Sequence, residues 1–386
     1  MGKKIKLGPG FLITAAFIGP GTVTSASFAG ASFGFSLLWV VLISGALAFV
    51  LQEMSGRFSL EKGEDLSQVL MKTTGSRFVN IVFTLVAVLA VVLGAAAYEA
   101  GNITGAYIGL NELFPLGKFW AVIISIVALM FLWRGRYRGI EIFLMGLVGL
   151  MSLSFLATAV KAGPALFEVL KGLVPAFPEN SKPIATALLG TTVVPYNLFL
   201  YSSIVLKRWN SSNLPEMRKD LGISIALGVI ITASIVVTSA AAFFASGIRI
   251  DSAATMAVQL APLLGKFAKT AFCVGLFAAG LSSAITAPYA ASWLVRGVFG
   301  FKESSKVFRI ISTIIVLFGL SSVFFPINPL QLIILAQIAN GLILPVIVIY
   351  LGYTIFKENK SLSQLFLIVI SIVFVLLIVF SKLFSL

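Results

Sequence analysis

Eleven apolar runs follow one another along the chain, each close to the length that a lipid bilayer requires of a helix. A transmembrane helix needs about 20 predominantly apolar residues. Charged residues or clusters of Pro and Gly mark the ends of the runs. The runs lie near residues 11–31, 36–56, 80–108, 117–133, 140–162, 185–206, 222–246, 268–297, 309–325, 330–354 and 362–384. The pattern predicts an all-α integral membrane protein of eleven transmembrane helices, without a separate soluble domain.

The composition of the 386-residue chain supports this class. Apolar residues make up 59% of it and charged residues only 11%, whereas a soluble chain is about half apolar and a quarter charged. The net charge of +14 would favour nucleic acid as a partner if the basic residues lay on one soluble face. They are scattered in short loops between apolar runs, so we expect the lipid bilayer as a partner and no nucleic acid.

Two rare residue types exclude several kinds of chemistry. The chain has no His and a single Cys, Cys273. Proton relays and catalytic triads built on His, intramolecular disulfides and thiolate metal clusters are therefore ruled out. Cys273 lies inside an apolar run and is expected to be a small buried hydrophobe. No enzyme motif stands out, so we expect neither an enzyme nor a bound cofactor.

The basic residues predict the orientation in the membrane. With the N-terminus in the cytoplasm, most of the 28 Lys and Arg residues lie in segments on the cytoplasmic side, as the positive-inside rule requires. The first run follows Lys3, Lys4 and Lys6 without a small-residue cleavage site, so we interpret it as a retained transmembrane helix. We expect a multi-pass plasma-membrane protein with a cytoplasmic N-terminus, an outer C-terminus and an extracellular loop at 163–184.

The first and sixth runs are interrupted at their centres. Gly19-Pro20-Gly21 lies in the first run and Pro195 in the sixth. Proline removes a backbone donor, and glycine adds conformational freedom. Unwound backbone survives at bilayer depth only where protein or a water-filled cavity satisfies it. Interruptions at matching places of two halves are typical of an inverted-repeat transporter with its site at the midplane, although an ordinary Pro kink is an alternative for the sixth run alone.

This organisation predicts one membrane domain over residues 1–386. Spans 1–5 would form a first repeat at 1–165, and spans 6–10 a second repeat at 180–355. The last run would be an additional C-terminal helix at 362–384.

Glu99 lies near the middle of the third apolar run. An ionisable group at that depth is costly and is a functional candidate. Without a mid-span Lys or Arg to pair with, Glu99 is expected to carry a proton part of the time. This behaviour suits proton coupling, together with Asn102 one turn later. The alternative is a neutral Glu that is hydrogen-bonded to a neighbouring helix.

Further polar side chains at similar depth predict a neutral pocket with this one carboxyl group. Asn102 follows Glu99 by three residues, and Asn340 follows Gln337 by three, so each pair shares a helix face. Ser and Thr often bond their own helix, and each one alone is weak support. The polar set is Thr22, Thr191, Thr192, Tyr196, Asn197, Tyr201, Asn102, Gln337 and Asn340. The small residues expected to serve close helix packing, and not ligand contact, are Gly101, Gly105, Gly275, Gly280, Ser282 and Ser283.

Several short stretches match the motifs of a known family. They are Leu51-Gln52, Gly63-Glu64-Asp65-Leu66, Gly105-Ala106-Tyr107-Ile108-Gly109-Leu110-Asn111, Tyr137-Arg138-Gly139-Ile140-Glu141 and Gly275-Leu276-Phe277-Ala278-Ala279-Gly280-Leu281-Ser282-Ser283. Gln337, eight residues before Pro345, matches the family's site glutamine. Over nearly its whole length the chain resembles the NRAMP family (natural resistance-associated macrophage protein) of proton-coupled divalent metal transporters. The resemblance implies a LeuT-like bundle in which spans 1–5 and 6–10 form an inverted repeat and helices 1 and 6 are broken.

The residues that carry out the family's chemistry differ in this chain. The family has Asp-Pro-Gly-Asn in its first helix and Met-Pro-His in its sixth. The corresponding residues here are Gly19-Pro20-Gly21-Thr22 and Val194-Pro195-Tyr196. Of the family's two acidic positions in the third helix, Glu99 keeps the first and Asn102 replaces the second. By the resemblance, the site would retain Gln337 and the backbone carbonyls of Ala16 and Thr191.

These substitutions leave three functions open. A bare divalent cation needs anionic ligands, because desolvating an isolated ion costs on the order of tens of kcal/mol in idealised estimates. The thioether that favours Mn²⁺ or Fe²⁺ is also absent. The leading hypothesis is a proton-coupled secondary active transporter of a small polar or zwitterionic organic solute, whose carboxylate faces the N–H groups after Gly21. The first alternative is transport of a mostly hydrated divalent metal cation of the Mn²⁺ or Mg²⁺ type, and the second is a non-transporting membrane scaffold or sensor.

The candidate residues follow from these hypotheses. The expected substrate-binding residues are Ala16, Gly19, Gly21, Thr22, Thr191, Val194, Tyr196, Asn197, Gln337 and Asn340. Proton coupling is expected of Glu99 and Asn102. In the alternative, a metal would meet Ala16, Thr191, Gln337 and Glu99.

Overall fold

The computed structural model describes residues 8–10, 18–69, 77–135, 138–244, 246–302, 305–358 and 362–380. Within these ranges every regular element is a helix, and twelve helices have eleven or more residues. In chain order they are α1 Pro20–Phe33, α2 Leu38–Lys62, α3 Arg77–Leu113, α4 Phe119–Arg134, α5 Arg138–Ala162, α6 Lys182–Thr192, α7 Pro195–Arg208, α8 Leu214–Ser239, α9 Ala268–Phe299, α10 Lys306–Ser322, α11 Pro329–Glu358 and α12 Leu362–Phe380.

The second to eleventh apolar runs correspond to helices, but several helices extend beyond the apolar residues. α2 continues past the run at 36–56 to Lys62 and ends where Gly63 adopts a left-handed conformation, with φ of 72°. α3 has 37 residues and exceeds the predicted 80–108 at both ends. Hydropathy marks the part of a helix that faces lipid or the core, and it does not detect the polar turns beyond that part.

The sixth apolar run forms two helices. α6 ends at Thr192, and α7 begins at Pro195. Between them the backbone leaves the helical conformation at Val193 (φ -101°, ψ 85°) and at Val194 (φ -91°, ψ 118°). Proline is accepted at the first position of a helix, where its missing N–H would have no partner. Pro195 therefore starts α7 but cannot continue α6.

The first apolar run is described in part. α1 begins at Pro20, directly after Gly19 in an extended conformation (φ -103°, ψ -173°). Residues 11–17, and with them the candidate Ala16, lie outside the described residues. α1 is therefore a helix of 14 residues that starts within the Gly-Pro-Gly sequence and ends two residues beyond the predicted run.

The helices have the length and composition of membrane spans. Seven helical segments of the described chain are long and apolar enough to cross a membrane, while Phe119–Arg134 and Leu367–Leu376 are shorter apolar helices. Large apolar side chains such as Phe78 and Leu153 are exposed on the outside, where lipid tails would cover them. The segment Lys182–Arg208 is almost wholly buried, so it lies in the middle of the bundle.

α11 connects three of these helices by its packing. α3 packs along α9 and α11, and α11 also packs against α6 and α1. α10 packs against α3 as well. The stretch expected as an extracellular loop contains a short helix, Leu166–Lys171. Trp39 of α2 donates its Nε1–H to the Ala176 carbonyl in the same stretch, at 3.0 Å.

Candidate functional site

The first turn of α1 meets the last turn of α6 inside the bundle. The hydroxyl oxygens of Thr22 and Thr191 lie 2.8 Å apart, and both residues are fully buried. Thr22 follows the Gly-Pro-Gly sequence, and Thr191 precedes the non-helical Val193. The two interrupted segments are therefore in direct contact.

The end of α6 leaves a carbonyl oxygen without its helical donor. In an α-helix the carbonyl of one residue accepts a hydrogen bond from the N–H four residues later. Four residues after Thr191 stands Pro195, which has no N–H. The neighbouring amides bond elsewhere: the Val193 N–H donates to Leu189 at 2.9 Å, and the Asn197 N–H donates to Val194 at 3.0 Å. The Thr191 carbonyl therefore lacks its helical donor because residue 195 is proline.

Gln337 of α11 lies against the backbone of α1. A Cβ atom built on Gly21 would stand 2.4 Å from the amide carbon and nitrogen of Gln337, so only glycine allows this approach. Gln337 is fully buried, and neither its Oε1 nor its Nε2 has a hydrogen-bond partner in the described chain. Buried amides without partners are rare because they cost free energy. The Gln337 amide is therefore suited to bind a ligand.

Tyr98 and Ser283 lie beside Gly19, and Tyr196 packs against Tyr98. Tyr98 of α3 and Tyr196 of α7 pack edge to face, with ring centres 5.7 Å apart. The Tyr98 hydroxyl would lie 3.7 Å, and the Ser283 hydroxyl 3.1 Å, from a Cβ on Gly19. The sequence assigned Ser283 to helix packing and did not select Tyr98. The signal available for Tyr98 was its position three residues before Gly101, which puts both on one face of α3.

Two asparagines extend the polar surface. Asn197 and Asn340 are fully buried, and the amide atoms of both lack partners among the described residues. Asn340 follows Gln337 by one helical turn, and its Oδ1 lies 2.8 Å from a Cβ built on Gly94 of α3. Asn197 lies in the first turn of α7. The apolar side chain of Val194 is also buried at this break.

Glu99 faces α10 and not the Gln337 amide. A Cβ on Gly319 of α10 would stand 2.7 Å from the Glu99 Cγ, whereas one on Gly101 would stand 3.2 Å from the Gln337 Nε2. Glu99 and Gly101 are two positions apart, which is about 200° around a helix. The Glu99 Oε2 accepts a hydrogen bond from the Asn102 Nδ2 at 3.2 Å, and its Oε1 has no partner in the described chain.

Seven of the predicted residues are thus divided between two places. Gly19, Gly21, Thr22, Thr191 and Gln337 come together at the start of α1. Glu99 and Asn102 form a separate pair beside α10 and α9. Across the described ranges, three or more His, Cys, Asp or Glu residues are nowhere grouped so as to hold a metal ion. A metal at the first place would meet neutral oxygen atoms.

Several of the small residues expected to serve close helix packing do so. A Cβ on Gly105 would lie 2.2 Å from the Pro20 side chain, and one on Gly280 would lie 2.5 Å from the Ala106 backbone nitrogen. α3 therefore packs closely against both α1 and α9.

Two further polar contacts join the beginning of the chain to later segments. The Gly10 N–H donates to the Asp220 carboxylate at 2.8 Å, and the Gln259 Nε2 donates to the Ser27 hydroxyl at 2.9 Å. Thr22, Thr191 and Gln337 are fully buried.

Proteins of similar sequence are metal transporters. The chain matches the model of a family described as natural resistance-associated macrophage protein-like (Nramp) over residues 10–385. It is 31% identical over 373 residues to the divalent metal cation transporter MntH of Brucella suis, covering 92% of this chain and 80% of the relative. These relatives are transporters and not enzymes.

Solved structures share the fold. A mutant form of the manganese transporter of Eremococcus coleocola has a TM-score of 0.75 at 20% identity, covering 99% of this chain and 88% of that chain. MhsT in complex with L-phenylalanine has a TM-score of 0.61 at 19% identity, covering 96% and 98%. These likenesses show a helical bundle of the LeuT type. The family model that matches nearly the whole chain and the 31% identity to MntH show that this multi-pass membrane protein belongs to the Nramp family of transporters.

Proposed function

We propose that this member of the Nramp family is a secondary active transporter of a divalent metal cation, bound partly hydrated by neutral oxygen atoms between α1, α6 and α11. The name of the Brucella suis relative supports this cargo. In the site itself, the proposal depends most on the Gln337 amide, which is buried against Gly21 and has no partner in the described chain. The organic solute favoured by the sequence has no support from the family.

The available donor atoms are those that a hard cation accepts. They are the Thr191 carbonyl and the Gln337 Oε1, beside the hydroxyls of Thr22 and Thr191, which bond to each other. In the sequence Pro20 stands four residues after Ala16, so the carbonyl of Ala16 is a further candidate. Mg²⁺ and Mn²⁺ prefer oxygen ligands, and Mg²⁺ usually keeps several of its waters. Retained water lowers the desolvation cost that a pocket without carboxylates could not offset.

The residues at the family's motif positions favour such a hard, hydrated ion. Gly19 and Thr22 stand where the family has Asp and Asn, and Val194 and Tyr196 stand where it has Met and His. Val194 is buried and offers no donor atom to a metal. We expect weaker binding than at a site with a carboxylate, and little preference for soft metals.

Glu99 is proposed to carry the coupled proton. It is buried and hydrogen-bonded to Asn102, and it lies on a face of α3 different from the one that meets Gln337. An isolated carboxyl group at this depth favours the protonated form when no cation pairs with it. A proton on Glu99 and a metal beside Gln337 would thus occupy separate places.

The proposed transporter has the architecture predicted from the sequence. It is a single membrane domain of eleven spans, in which helices 1 and 6 are broken. The two repeats are residues 1–165 and 180–355, and an additional helix follows at 362–384. The contact of Thr22 with Thr191 is consistent with two interrupted helices that meet at the site. We propose a plasma-membrane location with a cytoplasmic N-terminus and an outer C-terminus.

A small zwitterionic solute is the second candidate cargo. The observation that favours it is the set of buried amides at Asn197, Gln337 and Asn340, which have no partners in the described chain. Amides can bind both ends of a zwitterion, whereas a bare dication gains most from carboxylates.

Uptake into proteoliposomes tests the cargo. Purified protein is reconstituted, and Mg²⁺, Mn²⁺ and a panel of labelled amino acids are offered under an inward proton gradient. The proposal predicts saturable uptake of a divalent cation and acidification that depends on it. Uptake of an amino acid alone would favour the second candidate, and no uptake of any solute would favour a scaffold or sensor.

A further inference from the structure

The indole ring of Trp293 in α9 lies beside two cationic side chains. The Lys207 Nζ is 4.3 Å from the centre of the ring, and the Arg296 Cζ is 4.1 Å from it. Each cation is attracted to the ring. Because both cations lie close to the same ring, the Lys207 and Arg296 charges are also close to each other and repel each other.

Two donor atoms in this cluster have no acceptor. The Trp293 Nε1 and the Arg296 Nε are buried and lack a hydrogen-bond partner in the described chain, and Trp293 is only 6% exposed. A buried donor without a partner costs free energy. Together with the Lys207 ammonium group, these atoms are suited to surround an anion.

Among the described residues, the structure shows no ion pair of Lys207 or Arg296 with a carboxylate. Ion pairs elsewhere join Glu53 to Arg57 and Arg218, and Glu112 to Lys269. The Asp65 carboxylate lies near Gly297, 3.5 Å from a Cβ built there. The Oδ1 of Asp65 already accepts hydrogen bonds from the Ser67 hydroxyl and the Gln68 N–H.

Aromatic contacts fix the ring in place. Tyr289 stacks on Trp293 with ring centres 5.8 Å apart, and it meets Phe308 at 5.6 Å. Phe308 lies in the first turn of α10, between the exposed Lys306 and Arg309. The cluster therefore lies at the strongly basic end of the bundle that is predicted to face the cytoplasm, where the positive potential attracts anions.

We propose that Lys207, Trp293 and Arg296 form a binding site for a phosphate group. The Arg guanidinium offers several donors that match phosphate oxygens, and the indole N–H and the Lys ammonium group supply the others. The phosphate comes from an anionic phospholipid headgroup or from free inorganic phosphate. This site lies outside the proposed transport site and does not depend on the identity of the cargo.

Thermal unfolding of the purified protein in detergent tests the site, because a ligand that binds the folded state raises its unfolding temperature. Phosphatidylglycerol and inorganic phosphate are titrated in separate arms at constant ionic strength, with phosphatidylcholine as the neutral lipid. The variants are Arg296→Gln and Trp293→Phe, which keeps a ring but removes the indole N–H. Lys219→Gln is the matched control, since it removes one exposed cation of α8 for which the structure shows no aromatic contact.

The expected result is stabilisation of the wild type by one of the two ligands. The apparent dissociation constant of that ligand should rise about five-fold or more in Arg296→Gln and in Trp293→Phe. In Lys219→Gln it should stay within about two-fold of the wild-type value. A response to phosphatidylglycerol alone identifies a lipid headgroup, and a response to inorganic phosphate identifies the free ion. If Arg296→Gln does not fold, the exposed Lys207→Gln replaces it. The proposal is overturned if neither ligand stabilises the protein, or if Lys219→Gln weakens binding as much as the site variants do.

Discussion

The hydroxyl oxygens of Thr22 and Thr191 lie 2.8 Å apart, although 169 residues separate them in the chain. Thr22 lies in the first turn of α1, and Thr191 in the last turn of α6. Their hydrogen bond joins the two segments in which Pro and Gly interrupt an apolar run. It also holds the end of α6, with the carbonyl left without a donor by Pro195, beside the start of α1.

Removing the Thr22 hydroxyl should weaken both stability and transport. Thr22→Val keeps the shape but leaves the Thr191 hydroxyl without this partner, at a cost of about 1–3 kcal/mol. The midpoint of thermal unfolding in detergent should fall, and uptake of the divalent cation should slow. Thr270→Val, at an exposed position of α9, is the control. Equal effects of the two substitutions would show that the contact has no special role.

Gly21→Ala should displace Gln337. The added methyl group would stand 2.4 Å from the Gln337 amide, and overpacking of this kind typically costs about 1–3 kcal/mol. Uptake should fall at least about ten-fold, because the amide can no longer lie against α1. Gly146→Ala in α5 is the matched control, since a Cβ there meets no atom within 4 Å. There alanine should be neutral or stabilising by up to about 1 kcal/mol. Full uptake by Gly21→Ala would show that transport does not require the close contact of the Gln337 amide with Gly21.

The helix end before Pro195 has a local cause that the sequence shows directly. Proline cannot supply an N–H, whatever its surroundings, so the end of α6 before Pro195 follows from the sequence alone. The burial of Gln337 and Asn340 also follows, since they lie on one face of a long apolar helix. The all-helical membrane architecture and the inverted repeat were predicted from the apolar runs and their interruptions, and the LeuT-like arrangement of the bundle was predicted from the resemblance to the Nramp family.

The partners of each helix face depend on tertiary packing and could not be read from spacing. The position of Glu99 within α3 indicates its depth, but not that Gly319 of α10 lies against it. Ser283 looked like a packing residue because it follows small residues, yet its hydroxyl lies beside Gly19. The short helix Leu166–Lys171 was missed because it is too short to show a clear period.

Glu99→Gln should separate proton movement from metal binding. The substitution removes the group proposed to carry the proton, and it leaves the Gln337 side of α3 unchanged. Acidification of the vesicle lumen during uptake should stop, while the dissociation constant for the metal stays within about two-fold. Glu112→Gln, which breaks an ion pair with Lys269 at 3.0 Å, serves as a control and should still acidify the lumen. Unchanged acidification in Glu99→Gln would contradict the assignment.

Calorimetric titration of Mg²⁺ and Mn²⁺ into the purified protein tests the central claim most directly. Three proteins are compared: the wild type, Gln337→Ala, and Gln331→Ala, which removes an exposed glutamine from the same helix. We predict saturable binding to the wild type and to Gln331→Ala. The dissociation constant should rise about ten-fold or more in Gln337→Ala, a loss of about 1.4 kcal/mol. Absence of metal binding to the wild type, or equal binding to all three proteins, would contradict the account.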